Sequence, residues 1–272
     1  MNGAADEPAL PFVAPCRALA ATAPLGWIAR GWRDMWSAPR QSLTYGAVVV
    51  LLSLALATVT IRLGGYFELL ALVTGFILIA PVLAVGTYAI SLQLERGEQP
   101  SMRRCVREER RAVGNLLVFA LMLMVVFLVW ARAGSAIHIF MPLEESSGWQ
   151  GYLAFFGVGS AVGAVFSGVV FSSAAFSLPF MVDRRVDTVT AVVTSVNAVL
   201  RNKAAMVVWA ACIVAAVAPG FALLAMGRDH GGGFMWIMAG LGITLPLIGH
   251  ATWHAYRDTI DAGAWPPNDE PA

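Results

Sequence analysis

The sequence predicts an all-α, polytopic membrane protein with six transmembrane helices, arranged as three helical hairpins that are each preceded by a cytoplasmic amphipathic helix. Three observations predict this fold class. Hydrophobic residues make up 58% of the 272 residues and charged residues only 13%, which is more apolar side chain than a soluble core of this size needs. Six apolar runs are long enough to cross about 30 Å of hydrocarbon. Polar segments that carry arginine separate these runs.

The first element is a tail followed by an interfacial helix. Residues 1–22 are small, rich in Ala and Pro and non-periodic, which predicts a disordered cytoplasmic tail. The tail has no basic region, so we do not expect a cleaved secretory signal. Residues 25–37 place apolar and polar side chains on opposite faces of a helix. We expect this helix to lie in the membrane interface, with Trp32 and Trp36 at headgroup depth and Arg30 and Arg33 against anionic lipid.

The remaining elements repeat this order. Residues 99–111 carry five arginines and predict a second interfacial helix, and residues 186–201 oppose a valine stripe to polar side chains and predict a third. The fourth apolar run has small residues at four-residue spacing, which predicts a position near the centre of the bundle. Residues 23–260 thus form one membrane domain, followed by a second disordered cytoplasmic tail at 261–272. Its crossings are predicted at about 43–61, 69–94, 112–131, 152–182, 204–226 and 234–256.

The orientation follows from the distribution of positive charge. With six crossings, one side holds 15 of the 18 Lys and Arg residues, and the other side holds only Arg62, Arg132 and Arg228. The positive-inside rule then predicts that both termini are cytoplasmic.

An internal repeat is the second architectural prediction. Each of its three units is an amphipathic helix, a crossing outward and a crossing back. Each returning crossing ends on an acid and an arginine, at Glu95-Arg96, Asp183-Arg184 and Arg257-Asp258.

Four motifs carry a resemblance to a known family: Gly31–Trp36, Leu94–Glu98, Ser177–Pro179 and, most specifically, Pro246–Arg257. They resemble a bacterial family of predicted integral membrane proteins, domain of unknown function 2189, over nearly all of residues 26–258. Some members of that family are labelled as cytochrome c oxidase subunits, which implies an accessory or assembly role beside such an enzyme. A catalytic haem-copper subunit needs more than the four histidines of this chain, so we reject that function.

The last apolar run carries the candidate binding site. His250 and His254 lie one helical turn apart and share a helix face, and Tyr88 of the second crossing falls at the same side of the membrane. They predict a cytoplasm-side pocket, whose other candidate residues are Trp253, Tyr256 and Arg257. The plainer alternative is that both imidazoles are neutral and bonded to Thr252, Tyr88 or a backbone carbonyl.

Metal and cofactor sites have weaker support. The i, i+4 spacing of His250 and His254, with Cys212 at a comparable depth, makes the three weak metal candidates. We therefore predict no metal and no cofactor, and haem has less support still because its two axial ligands must come from opposite sides and no cytoplasm-side histidine lies on another helix. The three cysteines show neither metal-finger spacing nor a disulfide framework.

Several function classes are excluded or disfavoured by what the sequence lacks. A net charge of +1 argues against a nucleic-acid partner. No phosphate-binding loop, nucleophile elbow or zinc-protease motif occurs, so an enzyme is not expected and no residue is a catalytic candidate. No acidic residue lies mid-membrane, which disfavours ion-coupled transport.

The function expected from the sequence is therefore a non-enzymatic accessory or scaffold component of a membrane complex, with a respiratory enzyme as one option. Its partners would be the lipid bilayer and a membrane protein or a second copy of the chain. The alternative is a facilitator or transporter for a small or lipid-like molecule, with its pocket at His250 and His254.

Overall fold

The computed structural model describes residues 11–63, 85–141, 148–226 and 233–268. Regular structure in these ranges is entirely helical, apart from two isolated β-bridges, which join Cys16 to Ile260 and Arg184 to Pro267. The all-α class is therefore confirmed. The helices are α1 (Ala23–Ser37), α2 (Pro39–Leu63), α3 (85–95), α4 (Met102–Phe140), α5 (Trp149–Ala174), α6 (Ser177–Asp183), α7 (Thr188–Arg201), α8 (Lys203–Met226) and α9 (Gly233–Thr259).

Helix α9 packs along α1, α2 and α8. Its close approach to α1 depends on Gly31, because a Cβ at that position would lie 2.6 Å from the backbone nitrogen of Ala251. Gly46 of α2 meets the backbone of Gly242 in the same manner. Small residues at such crossings let helix backbones come together in lipid. As a result, the carboxyl-terminal half of α9 is enclosed by neighbouring helices.

The basic segment before the third predicted crossing is not a separate helix. α4 runs unbroken from Met102 to Phe140, so the prediction of a separate helix at 99–111 is wrong, whereas the interfacial position of this segment stays a prediction. The reason is local, since residues 102–140 contain no proline and the junction at Arg111 and Ala112 consists of good helix formers. By contrast, α1 ends before α2, and α7 meets α8 at a bend of 101°.

Helix α5 does not occupy the centre of the bundle, contrary to the prediction from its small residues. None of the residues of α5 is buried. A Cβ added at Gly159, Gly163 or Gly168 would meet no atom within 4 Å. Small side chains permit a close helix crossing but do not demand one, and the large polar and aromatic side chains of α9 take the central place instead.

Among the described residues, two helical stretches are long and apolar enough to cross a membrane, Met102–Ile137 and Trp149–Asp183. The bent pair formed by α7 and the first part of α8 is a third if it counts as one span. These stretches contain the predicted crossings at 112–131 and 152–182. Most of the crossing predicted at 69–94 lies outside the described residues, and the six-crossing, three-hairpin arrangement stays a prediction.

Both predicted tails are ordered over the parts that the structure describes. In residues 11–22, the N–H of Leu19 donates to Asn202 Oδ1 at 2.8 Å. Residues 261–268 fold back on the bundle and bury Trp265, which is 3% exposed. The prediction of disorder was wrong for these parts because backbone hydrogen bonds and one anchoring ring hold them, and composition reveals neither. The outer ends of both tails lie outside the described residues.

Candidate functional site at the end of helix α9

The last turns of α9 direct polar side chains toward three other helices. His254 contacts α1, Trp253 and Arg257 contact α3, and Tyr256 contacts α6. Side chains three and four positions apart on a helix point in neighbouring directions, so one helix end can serve several partners at once. The rings of His250, Trp253 and Tyr256 are fully buried. We call the resulting network the α9 polar cluster.

The two histidines meet a carboxylate from α1. His254 Nε2 lies 2.9 Å from Asp34 Oδ2, and the Ser91 hydroxyl donates to the same oxygen at 2.7 Å. Ser91 Oγ also lies 2.8 Å from His250 Nδ1, while Ser42 Oγ lies 2.9 Å from His250 Nε2. A continuous hydrogen-bonded chain thus runs from the partly exposed His254 to the fully buried Ser42.

This chain assigns the tautomer of a neutral His250. The Ser91 hydroxyl has one proton and gives it to Asp34, so Ser91 Oγ must accept the hydrogen bond from His250 Nδ1–H. His250 Nε2 is then unprotonated and accepts from the hydroxyl of Ser42. Both ring nitrogens are occupied, and a metal ion could bind His250 only by displacing a serine.

Glu95 ties α3 to α9. Trp253 Nε1 donates to Glu95 Oε2 at 2.9 Å, and the guanidinium of Arg257 donates to Glu95 Oε1 from Nε at 3.0 Å and from Nη2 at 2.7 Å. Such charge-assisted bonds from a fixed guanidinium are stronger than neutral ones and set the orientation of both groups.

Asp183 connects α6 to α9 in the same way as Glu95 connects α3. Asp183 Oδ2 accepts from Tyr256 Oη at 2.7 Å, from Arg184 Nε at 3.1 Å and from Arg257 Nη1 at 3.3 Å. The carboxylate is only 5% exposed, and the ring of Tyr256 stacks on Phe180 with centroids 5.9 Å apart. Two guanidinium groups compensate the buried charge, which burial alone would make costly.

A fourth carboxylate, Asp258, links the end of α9 back to α1. Its Oδ2 accepts from Trp27 Nε1 at 2.9 Å, and its two oxygens also bind the Arg30 guanidinium. Burial raises the pKa of Asp258, but the bonds from Arg30 and Trp27 outweigh burial and hold the pKa below its usual range. Burial likewise raises the pKa of Asp34, and the bonds from His254 and Ser91 bring it below the ordinary value of 3.8.

The structure separates the remaining site candidates from the histidines. Tyr88 lies in the apolar core and is 5% exposed, and it is not among the hydrogen-bond partners of His250. Thr252 donates to the carbonyl oxygen of Ile248 at 2.7 Å, so the hydrogen-bond partners proposed from the sequence were wrong. Cys212 is packed, partly buried, against the core. Within the described ranges, no three His, Cys, Asp or Glu side chains are grouped as metal ligands.

Sequence reasoning missed the residues that complete the cluster: Asp34, Ser42, Ser91, Glu95 and Asp183. A signal for two of them was present, because the acids that end the second and fourth crossings are Glu95 and Asp183. Both bind side chains of α9. The only sequence signal for Asp34 was its place on the polar face of α1, and nothing in the sequence indicates that it contacts His254, 220 residues away.

An apolar cleft of about 540 Å³ lies between α4 and α5, away from the residues of the α9 polar cluster. Its walls include Phe127, Trp130, Phe166 and Phe171, with Ser167 as a polar group. A cleft of this kind accepts an apolar chain more readily than a charged solute.

We compared the chain with known families, curated proteins and solved structures. No curated protein and no solved structure matches the chain. The match to a family model covers α3 to α6 and includes the Leu94–Glu98 and Ser177–Pro179 motifs, but it extends neither to Gly31–Trp36 nor to Pro246–Arg257. It carries no cytochrome c oxidase label. Residues 69–183 match the model of the family DUF2189, predicted integral membrane protein, which confirms the family resemblance over that part of the chain.

Proposed function

We propose that this integral membrane protein is a non-enzymatic accessory or scaffold component of a larger membrane complex. One observation carries the proposal: the polar and ionisable side chains of the α9 polar cluster are bound to one another. Every buried side-chain nitrogen and oxygen among the described residues has a hydrogen-bond partner. A satisfied network of this kind fixes the relative positions of helices, and it leaves no buried group prepared for a ligand.

A catalytic alternative can be weighed against the geometry. Ser42, His250, Ser91 and Asp34 follow one another in the order nucleophile, base, relay and acid, which resembles the logic of a serine hydrolase. A nucleophile must meet its substrate, however, and the side chains of Ser42 and His250 are both 0% exposed. Enclosure of both groups favours a structural role for this chain of hydrogen bonds.

The surface of α1 is where we place the contact with a partner. Trp32 and Trp36 are 48% and 54% exposed, and their rings pack edge to face with centroids 5.7 Å apart. Exposed Arg33 lies between them in sequence. Aromatic and arginine side chains are enriched in the energetically dominant parts of protein interfaces. The opposite face of α1 is held against α9, so this surface is presented on a rigid support.

The proposal includes the topology predicted from the sequence, with six crossings in three repeated units, cytoplasmic termini and a bacterial inner membrane. Support comes from the ends of the returning helices. Glu95 and Asp183 both bind the one guanidinium of Arg257, and Asp258 is the next residue of α9. Three helix ends that meet in one cluster belong on one side of a membrane.

Affinity purification in a mild detergent, followed by mass spectrometry, tests the proposal. We expect wild-type protein to retain a membrane-protein partner in fixed ratio or a second copy of itself, and Trp32→Ala/Trp36→Ala to lose it. The matched control, Leu153→Ala/Phe156→Ala, removes two exposed apolar side chains from α5 and should retain the partner. Monomeric wild-type protein without a partner would contradict the proposal.

The alternative function, a facilitator for a small or lipid-like molecule, has one observation in its favour. The apolar cleft of about 540 Å³ suits a lipid-like guest, although its walls belong to α4 and α5 and contain neither His250 nor His254. Uptake of a fluorescent lipid by reconstituted vesicles would support this function if Gly163→Phe, which fills the cleft, abolished it. Equal uptake by vesicles without protein would exclude it.

A further inference from the structure

The first turns of α4 separate positive from negative charge. Glu108 is 5% exposed and lies 3.7 Å from the guanidinium of Arg111, and Glu109 accepts a hydrogen bond from Tyr45 of α2 at 2.8 Å. Both acids of this segment are therefore engaged by partners in the fold. Arg107 remains exposed on the outside.

Three arginines share that outer face. Arg103, Arg107 and Arg110 follow one another at i, i+4 and i+7, which puts them on one side of a helix. They are exposed and have no ion-pair partner within the described ranges. Since the neighbouring acids are engaged elsewhere, this face is more positive than the sequence of the segment suggests.

The same face continues as an apolar stripe. Val113, Leu117 and Leu121 follow Arg110 at spacings of three and four residues and are 42%, 48% and 50% exposed. Because α4 is one unbroken helix, the three arginines and the apolar stripe keep a fixed position relative to each other.

The rise per residue of a helix gives the depth of the arginines and of the apolar stripe in the membrane. The uncharged residues 112–131 of α4 span about 30 Å, the thickness of the hydrocarbon core. Arg110 therefore lies at the edge of the hydrocarbon and Arg107 about 4.5 Å beyond it, within the headgroup layer, which is about 5–7 Å thick on each side. Arg103 lies about 10 Å beyond the edge, outside that layer.

We propose that Arg107, Arg110, Val113 and Leu117 form a binding site on α4 for one anionic phospholipid. The two guanidinium groups bind the headgroup phosphate, to which their planar donors are suited, and the stripe receives an acyl chain. Charge complementarity selects an anionic over a zwitterionic lipid. A free phosphate ion would use the arginines without the stripe. The site goes beyond the proposed function and does not depend on it.

Native mass spectrometry of delipidated full-length protein tests the site, with phosphatidylglycerol and phosphatidylcholine as the two probes. We expect one phosphatidylglycerol to be retained in preference to phosphatidylcholine. Arg107→Gln/Arg110→Gln should weaken phosphatidylglycerol binding about thirtyfold, since each arginine near a membrane surface contributes about fivefold. The control Arg201→Gln/Lys203→Gln removes the same charge from exposed positions and should bind as wild type.

Three further measurements keep the test decisive. Val113→Ser/Leu117→Ser should weaken lipid binding with all arginines present, whereas an excess of inorganic phosphate should not displace the lipid. Raising the salt concentration from about 0.05 to 0.5 M should weaken binding to the wild type, because exposed charges are screened. Equal retention of both lipids, or equal loss in the arginine variant and its control, would overturn the proposal.

Discussion

Replacing Asp34 by Asn tests the α9 polar cluster at the carboxylate that joins its two histidines. Asp34 Oδ2 accepts from Ser91 at 2.7 Å and contacts His254 at 2.9 Å, and the side chain is 15% exposed. The amide keeps the shape and one acceptor oxygen but loses the charge. Bonds to a charged group contribute about 1.5–3 kcal/mol and neutral bonds about 0.5–1.5 kcal/mol, so two bonds lose about 2 kcal/mol in all. Relief of a buried charge returns part of this, and we expect a net loss of about 1–2 kcal/mol.

The stability difference between wild type and Asp34→Asn should also depend on pH, in a direction that follows from the pKa of Asp34. The pKa of Asp34 is lower in the folded protein than its ordinary value of 3.8, so the folded state binds the proton more weakly than the unfolded state. The stabilisation is therefore fully present above pH 3.8 and is lost as the pH falls through the folded pKa. The gap between wild type and Asp34→Asn should be constant from about pH 5 to 7 and should close below pH 3.8.

Equilibrium unfolding by a denaturing detergent, followed by circular dichroism, measures the free energy of unfolding for this comparison. The matched control is Asp261→Asn, whose carboxylate is 56% exposed and lies 4.0 Å from Arg17. An exposed pair of this kind contributes little, so the control should stay within about 0.5 kcal/mol of wild type. A variant as stable as wild type at pH 7, or a gap that persists at low pH, would refute the role assigned to Asp34.

Three other predictions follow from the packing, the cluster and the topology. In the detergent unfolding assay, Gly31→Ala should destabilise the protein by about 1–3 kcal/mol because the new Cβ would lie 2.6 Å from the backbone nitrogen of Ala251. The control Gly26→Ala, on the same helix, should be neutral or slightly stabilising because its Cβ meets nothing within 4 Å. Arg257→Gln should cost about 3 kcal/mol in that assay because one of its two carboxylate partners is only 5% exposed, and a loss below about 1 kcal/mol would contradict the assigned bonds. In a cysteine-free background, a membrane-impermeant maleimide should label Ser101→Cys only from the cytoplasmic side and Gly148→Cys only from outside, and the reverse pattern would reject the orientation.

The sequence predicted elements whose signal is local. The apolar excess gave the all-helical class, and the valine stripe of residues 186–201 gave α7 almost to the residue. The i, i+4 spacing of His250 and His254 pointed to the end of α9 where the α9 polar cluster lies, and a binding pocket there stays a prediction. What failed depends on contacts between distant residues. The Ser42–His250 bond joins positions 208 apart in sequence, and no periodicity within one helix can indicate such a partner.

The same distinction explains the errors in the fold. Small residues in α5 indicated that a close crossing was sterically allowed, but the central crossings are made at Gly31 and Gly46. Gly31 has no such row around it, and the row that leads to Gly46 is short, with Ala38 and Ser42 before it. A charged segment such as 99–111 looks separate from the apolar run that follows, yet helix formation depends on the backbone, and no residue there interrupts it. A change in composition therefore does not by itself mark a helix end.

The polar cluster also supports the predicted topology by a route that does not use the arginine count. Glu95 ends α3 and Asp183 ends α6, and one side chain, Arg257, binds both. Between these two acids, the described residues include two stretches that are long and apolar enough to cross a membrane. A chain that leaves one side and returns to it crosses an even number of times, so the joined ends favour an outward and a returning helix, and the hairpin itself stays a prediction. The positive-inside rule favours the same hairpin from a count in which Arg257 is only one of 15 charges, so the two arguments depend on largely different residues and together give stronger support than either gives alone.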